Sequence, residues 1–187
     1  MKHEDVVKEV SQLIKNACLS DKNPFGESVL DHIKGVVKYS LVLAEKLKAD
    51  KEVVEIASWL HDYGSVTGNY KDYHITGAKK AEEILNQYHY PKNKIENIKH
   101  CIYVHRTSQG LKKETVEAEI VASADLMAEF DEVPALYYLA YHTHKFNHKD
   151  GERFVLNKVE NGMNKVMPEG REIIKEKYGA FKLLLKK

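Results

Sequence analysis

Apolar residues recur at three- and four-residue spacing along most of this chain, and that period dictates helices. Only four prolines and ten glycines interrupt 187 residues. Val6, Val10, Leu13, Ile14 and Ala17 share one stripe, which ends before the turn-rich 20-SDKNPFG-26. Ser28 is placed to cap a long helix whose buried face carries Val29, Ile33, Val36, Val37, Ser40, Leu41, Ala44 and Leu47. A third helix, about Lys51 to Leu60, is apolar on most sides, which marks it as central. After 63-YGSVTGNYKDY-73, read as a loop, helices are expected at about Ile75–Tyr88, from Pro91 through Ile102, and at about Val116–Glu129. The polar 106-RTSQGLKKE-114 is a loop, and Leu136–Tyr141 a short helix. Phe154–Val159 and Pro168–Leu185 are also helical. No strand pattern, repeat or low-complexity tract stands out, so the expected fold is all-α.

Charge excludes some functions. The 29 basic and 28 acidic side chains nearly cancel, which leaves no electrostatic footprint for nucleic acid. The opening MKHEDVVKEV has no apolar core of a secretory signal, and no window approaches about 18 consecutive apolar residues. Neither a leader nor a membrane span is expected. Cys18 and Cys101 form no metal or redox spacing, which suits a reducing cytoplasm.

The ten histidines are the unusual part of the composition. His32 lies three residues after Val29 and four before Val36, on the core stripe of its helix. His61 and Asp62 are adjacent and so differ by about 100° in mid-helix. At a helix end, where the backbone unwinds, both can turn to one point. Asp125 is bracketed by Val121 and Ala128 on an inward face with no Lys or Arg along its stripe. Buried carboxylates need a positive partner. Two inward carboxylates and two inward histidines therefore point to a divalent cation, and imidazole plus carboxylate suits Mn, Fe, Co, Ni or Zn.

Two more histidines are sorted by face. His105, three residues past Ile102, falls on the buried stripe, whereas His100 falls on the far face and is expected to be solvated. His74 opens 74-HITGAKKAEEIL-85, where Gly77 and Ala78 leave room for close approach. The histidines of 142-HTHKFNH-148 have a polar context and read as a solvated loop. His3 and His89 have no apolar neighbours to aim them inward, and the eleven tyrosines read as amphipathic packing. There is no Walker A loop, G-x-G-x-x-G, H-E-x-x-H or G-x-S-x-G.

The order His32, His61-Asp62, Asp125, each on its own helix, resembles the HD superfamily of metal-dependent phosphohydrolases. The likeness extends to 54-VEIASWLHDYGS-65, 74-HITGAKKAEEIL-85, 102-IYVHR-106 and 115-TVEAEIVASADLMAEF-130. It implies one HD domain over residues 1–187: a helical bundle with a motif-bearing core at about 28–130 and a C-terminal helical extension at 131–187. The H-D-I-G-K…G-Y-P pattern of the cyclic-di-GMP branch is missing, since positions 63 and 65 are Tyr and Ser. By this resemblance His32, His61, Asp62 and Asp125 hold one divalent ion, Mg being among the candidates. His74 and His105 match the positions that bind a second in binuclear members.

The implied activity is hydrolysis of a phosphate ester or anhydride, with a nucleotide as the small-molecule substrate. The attacking water is activated by metal beside Asp62 and His61. Arg106, Lys34 and Lys71 are candidate phosphate-holding cations by their closeness in sequence to the ligands. Arg106 has the advantage of a bidentate fork. The same ligand set serves di-iron oxygenases of HD type, and an HD-derived sensor can bind a nucleotide without turnover. Both remain alternatives at this point.

Overall fold

The computed structural model describes residues 3–185. Its elements, in order, are α1 (His3–Cys18), α2 (Val29–Leu47), α3 (Lys51–Leu60), α4 (Tyr63–Val66), α5 (Tyr73–Gln87) and α6 (Lys92–Val104). A 3-10 turn at Thr107–Gln109 precedes α7 (Val116–Ala128) and α8 (Val133–Tyr138). The latter runs into a π-helical turn at Leu139–Thr143, followed by α9 (His148–Lys165) and α10 (Pro168–Leu185). There is no strand among the described residues, and the fold is all-α as expected. No helix among them is long and apolar enough to cross a membrane.

Two helices form the centre. The expectation that α3 is central holds: Val53, Val54, Ile56, Ala57, Ser58 and Leu60 are buried, and α1, α2, α5, α6 and α7 pack around it. The second, α7, is buried on nearly all sides, from Glu117 and Ala118 through Ala128, with only Glu119 and Asp125 among those positions not fully buried. Small residues explain how it fits. Ala118, Ala122, Ser123, Ala124 and Ala128 let neighbouring helices approach closely on several faces at once. Residues 120–128 read as helical in sequence, but this all-round burial depends on partners distant in the chain.

Local chemistry sets the ends of these two helices. The Asp50 carboxylate accepts from the Glu52 and Val53 N–H groups and starts α3. The Thr115 hydroxyl accepts from the Ala118 N–H and starts α7. Each such cap contributes about 1 kcal/mol. Ser28, by contrast, stands at the start of α2 without a side-chain capping bond, because its backbone is already helical (φ −61°, ψ −23°). The loop expected at 63–73 is shortened from both sides. Tyr63–Val66 forms the turn α4, and α5 begins at Tyr73.

The C-terminal helices dock on the centre through polar ties. Lys158 of α9 pairs with Glu129 at the end of α7. The Met167 N–H donates to the Ser123 hydroxyl at 3.0 Å. Lys177 of α10 pairs with Asp131 and donates to the Tyr39 hydroxyl, which itself donates to Asp131. The 142–148 histidines are exposed, as expected.

Candidate metal centre

Three close approaches bring the sequence-predicted residues together. A Cβ placed on Gly35 would lie 3.2 Å from the Ala128 Cβ, so α2 and α7 nearly touch there. His32 and Asp125 stand one turn before those contacts, each on the inner face, and meet with His32 Nε2 3.2 Å from Asp125 Oδ1. Gly77 faces the Leu60 carbonyl, 3.1 Å from where its Cβ would be, which lays the first turn of α5 against the end of α3. Gly64 is the tightest: a Cβ there would fall 2.6 Å from the Tyr73 backbone. Only glycine lets α4 turn under the start of α5.

His61 and Asp62 resolve the problem of two neighbours serving one point. His61 keeps helical dihedrals at the end of α3 (φ −55°, ψ −40°), and Asp62 departs from them (φ −101°, ψ 12°). The break turns Asp62 back, so its Oδ2 lies 3.6 Å from His61 Nε2. Asp125 Oδ1 lies 3.8 Å from the same nitrogen. His32, His61 and Asp62 each present a ligand atom, all within 4.8 Å of one another.

Hydrogen bonding fixes how the imidazoles are aimed. A carbonyl oxygen can only accept, so His61 Nδ1 carries its proton and donates to the Ser58 carbonyl at 2.7 Å. The Nε2 lone pair then faces the cluster, and this fully buried atom has no hydrogen-bond partner. An orphaned acceptor between two carboxylates is costly, and a divalent cation satisfies both sides at once. His105 repeats the device, with Nδ1 donating to the Ile102 carbonyl at 2.5 Å. Its ring stands edge-on to His61 at 5.1 Å between centroids. His74 is buried as well, and its Nδ1 also lacks a partner.

Electrostatics agree with the geometry. Burial opposes charge on His32, but the hydrogen bond to Asp125 and the charges of Asp125, Asp62 and Glu129 outweigh it and raise the imidazole to about 8. Burial likewise disfavours the Asp125 carboxylate, yet the His32 hydrogen bond and the imidazoles of His61, His32 and His105 around it hold it below the usual carboxylate range. Burial, with the neighbouring His61 imidazole, lowers His105. Burial and Arg106 lower His74. Imidazoles kept neutral by burial have free lone pairs for a metal.

The candidate cations are placed differently from one another. Lys34 is exposed and pairs with Asp31 at 2.9 Å. Lys71 is exposed, and its backbone carbonyl accepts from Arg106 Nη1 at 2.9 Å. Arg106 is half-buried with its guanidinium 5.2 Å from the centre of the Tyr73 ring. His100 corrects the expectation of a solvated side chain. It is half-buried and its Nε2 accepts from the Glu114 N–H at 3.0 Å, pinning the loop before α7.

Sequence reasoning missed Tyr73. Its ring lies 5.4 Å from His105 and 5.8 Å from His74. Burial and the charges of Asp62 and Asp125 push its phenol up, which marks how near it is to both carboxylates. The available signal was its place directly before His74 at a helix start. Glu129, one turn past Asp125, was missed too. Burial and the Asp125 charge raise it, and Lys158 pairs with it.

The family model of the HD domain matches residues 29–129. The Lin1889 protein of Listeria innocua superimposes with a TM-score of 0.72 at 18% identity, covering 99% of this chain and 94% of that one. Bacillus subtilis YpgQ, solved in complex with ADP, gives 0.72 at 14% identity with the same coverage of both chains. A predicted HD superfamily hydrolase from an uncultured Thermotogales bacterium gives 0.57 at 18% identity, over 82% of this chain and 84% of that one. At such identities the structural neighbours establish a shared fold. The family match, which spans the His32, His61-Asp62 and Asp125 helices, shows that this chain belongs to the HD domain family.

Proposed function

We propose that this protein hydrolyses a phosphate ester or anhydride bond of a nucleotide, using a divalent metal held by His32, His61, Asp62 and Asp125. The observation that carries this reading is the buried, partnerless Nε2 of His61, aimed between the Asp62 and Asp125 carboxylates. His74 and His105 are the proposed additional ligands for a second ion, each being buried with an imidazole nitrogen available. When bound, the metal supplies positive charge for the phosphoryl oxygens and an acidified water. Everything else falls to the chain. Ser58 and Ile102, through their carbonyls, hold the tautomers of His61 and His105. Asp62, at the helix break, is placed to accept a hydrogen bond from the attacking water and orient it in line with phosphorus. Arg106 is the proposed phosphate grip, since it stands over Tyr73 and its fork carries donors besides the Nη1 that serves the Lys71 carbonyl. The more exposed Lys34 and Lys71 are proposed to act only by drawing anions to the site.

The nucleotide part rests on the ADP complex of the similarly folded YpgQ. The test is elemental analysis of the purified protein, then phosphate release from a panel of nucleotides and simple phosphomonoesters with Mn, Co, Ni and Mg. Metal-dependent release that disappears in Asp62→Ala and Asp125→Ala is expected. Wild-type protein that binds these metals and releases phosphate from none of the panel would sink the hydrolytic reading. Oxygen uptake by iron-loaded protein would put the di-iron oxygenase in its place.

A further inference from the structure

Away from the ligand set, one group of side chains has no part in the core and no part in the hydrolytic step. Phe25, Tyr70 and Tyr73 form a row of rings leading out from the metal centre. The successive centroid spacings are 5.6 Å from Phe25 to Tyr70, 6.0 Å from Tyr70 to Tyr73, 5.4 Å from Tyr73 to His105 and 5.1 Å from His105 to His61. The inner end is therefore at the centre itself. The outer end is open, because Tyr70 is 59% exposed.

The row is braced by its neighbours although its outer ring faces water. Tyr70 and Tyr73 are nearly parallel, 16° apart, and Phe25 leans on Tyr70 at 52°. Arg106 lies over Tyr73 and ties the 66–72 segment down through the Lys71 carbonyl. Asn23 fixes the turn that carries Phe25, its amide donating to the Cys18 and Gly26 carbonyls at 2.8 and 2.7 Å. Burial in the core does not explain a large ring stacked between two others in solvent. A preorganised aromatic face loses little entropy on binding a planar partner, and a π-face is sequence-tolerant towards every base.

We propose that Tyr70, backed by Phe25 and Tyr73, is the base-stacking subsite of the substrate pocket. It carries the nucleobase while the phosphate of the same molecule reaches the His32–His61–Asp62 centre past Arg106. This deepens the nucleotide reading and rests on it. The surface offers a ring to stack on, so it selects for a planar base rather than for one base. Purines, with the larger π-face, bind more tightly than pyrimidines.

The experiment compares equilibrium binding of ADP and of inorganic pyrophosphate to full-length, metal-loaded protein by calorimetry. Wild type, Tyr70→Ala, Tyr70→Leu and Tyr70→Trp are measured. Expected is a roughly 10-fold weaker ADP affinity for the Ala and Leu variants, recovery in Tyr70→Trp, and unchanged pyrophosphate affinity. Tyr70→Leu keeps apolar bulk without a ring, so it reports on stacking even where Tyr70→Ala loses its fold. ADP affinity that is the same in wild type and Tyr70→Leu overturns the stacking subsite and leaves the nucleotide reading standing. Equal weakening of ADP and pyrophosphate does the same, because it marks a structural role. Wild type binding pyrophosphate but showing no gain from the nucleoside of ADP removes the nucleotide reading, and the subsite with it.

Discussion

Metal uptake by this protein should be coupled to release of one proton from His32. The imidazole is raised to about 8 from an ordinary 6.5, chiefly through its hydrogen bond to Asp125 working against burial. A ligand nitrogen must be unprotonated to bind. Near pH 6.5 only about 3% of His32 is then unprotonated, and about half near pH 8. Apparent affinity for Mn should therefore rise roughly 15-fold across that interval and flatten above it. Calorimetric titration of chelator-treated protein with Mn, in two buffers of different ionisation enthalpy, measures both quantities. Proton release should approach one near pH 6.5 and fall to about half near pH 8. His32→Asn should bind more weakly and lose this slope. A wild-type affinity that is flat over the interval, or an unchanged slope in His32→Asn, would refute the reasoning that His32 is a protonated partner of Asp125 awaiting a metal.

Other outcomes are expected from the same structure. In metal-free protein the His32–Asp125 pair contributes about 2 kcal/mol of stability. The folded His32 value lies above its ordinary one, so this contribution is complete below pH 6.5 and fades as pH rises through about 8. Asp125 is shifted down, so the same contribution fades as pH falls below its ordinary 3.8, and thermal melts should peak between those limits. His74→Ala and His105→Ala should lower the metal content from about two ions to one, whereas His100→Ala should keep the full content. Equal metal content in all three would remove the second-ion assignment. Gly64→Ala should destabilise by a few kcal/mol, because its Cβ would meet Tyr73 backbone at 2.6 Å, and Gly179→Ala, with nothing within 4 Å, should stabilise by up to about 1 kcal/mol in denaturant titrations. Lys158→Met should cost a few kcal/mol near neutral pH by leaving Glu129 unpaired, and a melt no different from wild type would show the pair contributes little.

The sequence by itself determined the long helices and the inward direction of His32, His61, Asp62, Asp125 and His105. Both follow from local rules: the period of apolar residues, and the face on which a polar residue falls. The adjacency of His61 and Asp62 was informative because a helix cannot aim two neighbours together, so a helix end had to lie there. Only the tertiary structure decided the rest. Gly35 meets Ala128 across a long stretch of chain and Gly64 meets Tyr73 across a short one, and no periodicity encodes which glycine will face which helix. Tyr73 read as ordinary amphipathic packing because one residue says nothing of a partner 32 positions away. His100 read as solvated because its acceptor role needs the Glu114 N–H, which folds back from a loop. A side chain's direction is a property of its own helix, but its neighbours are a property of how helices pack, and the chemistry of this centre is made of neighbours.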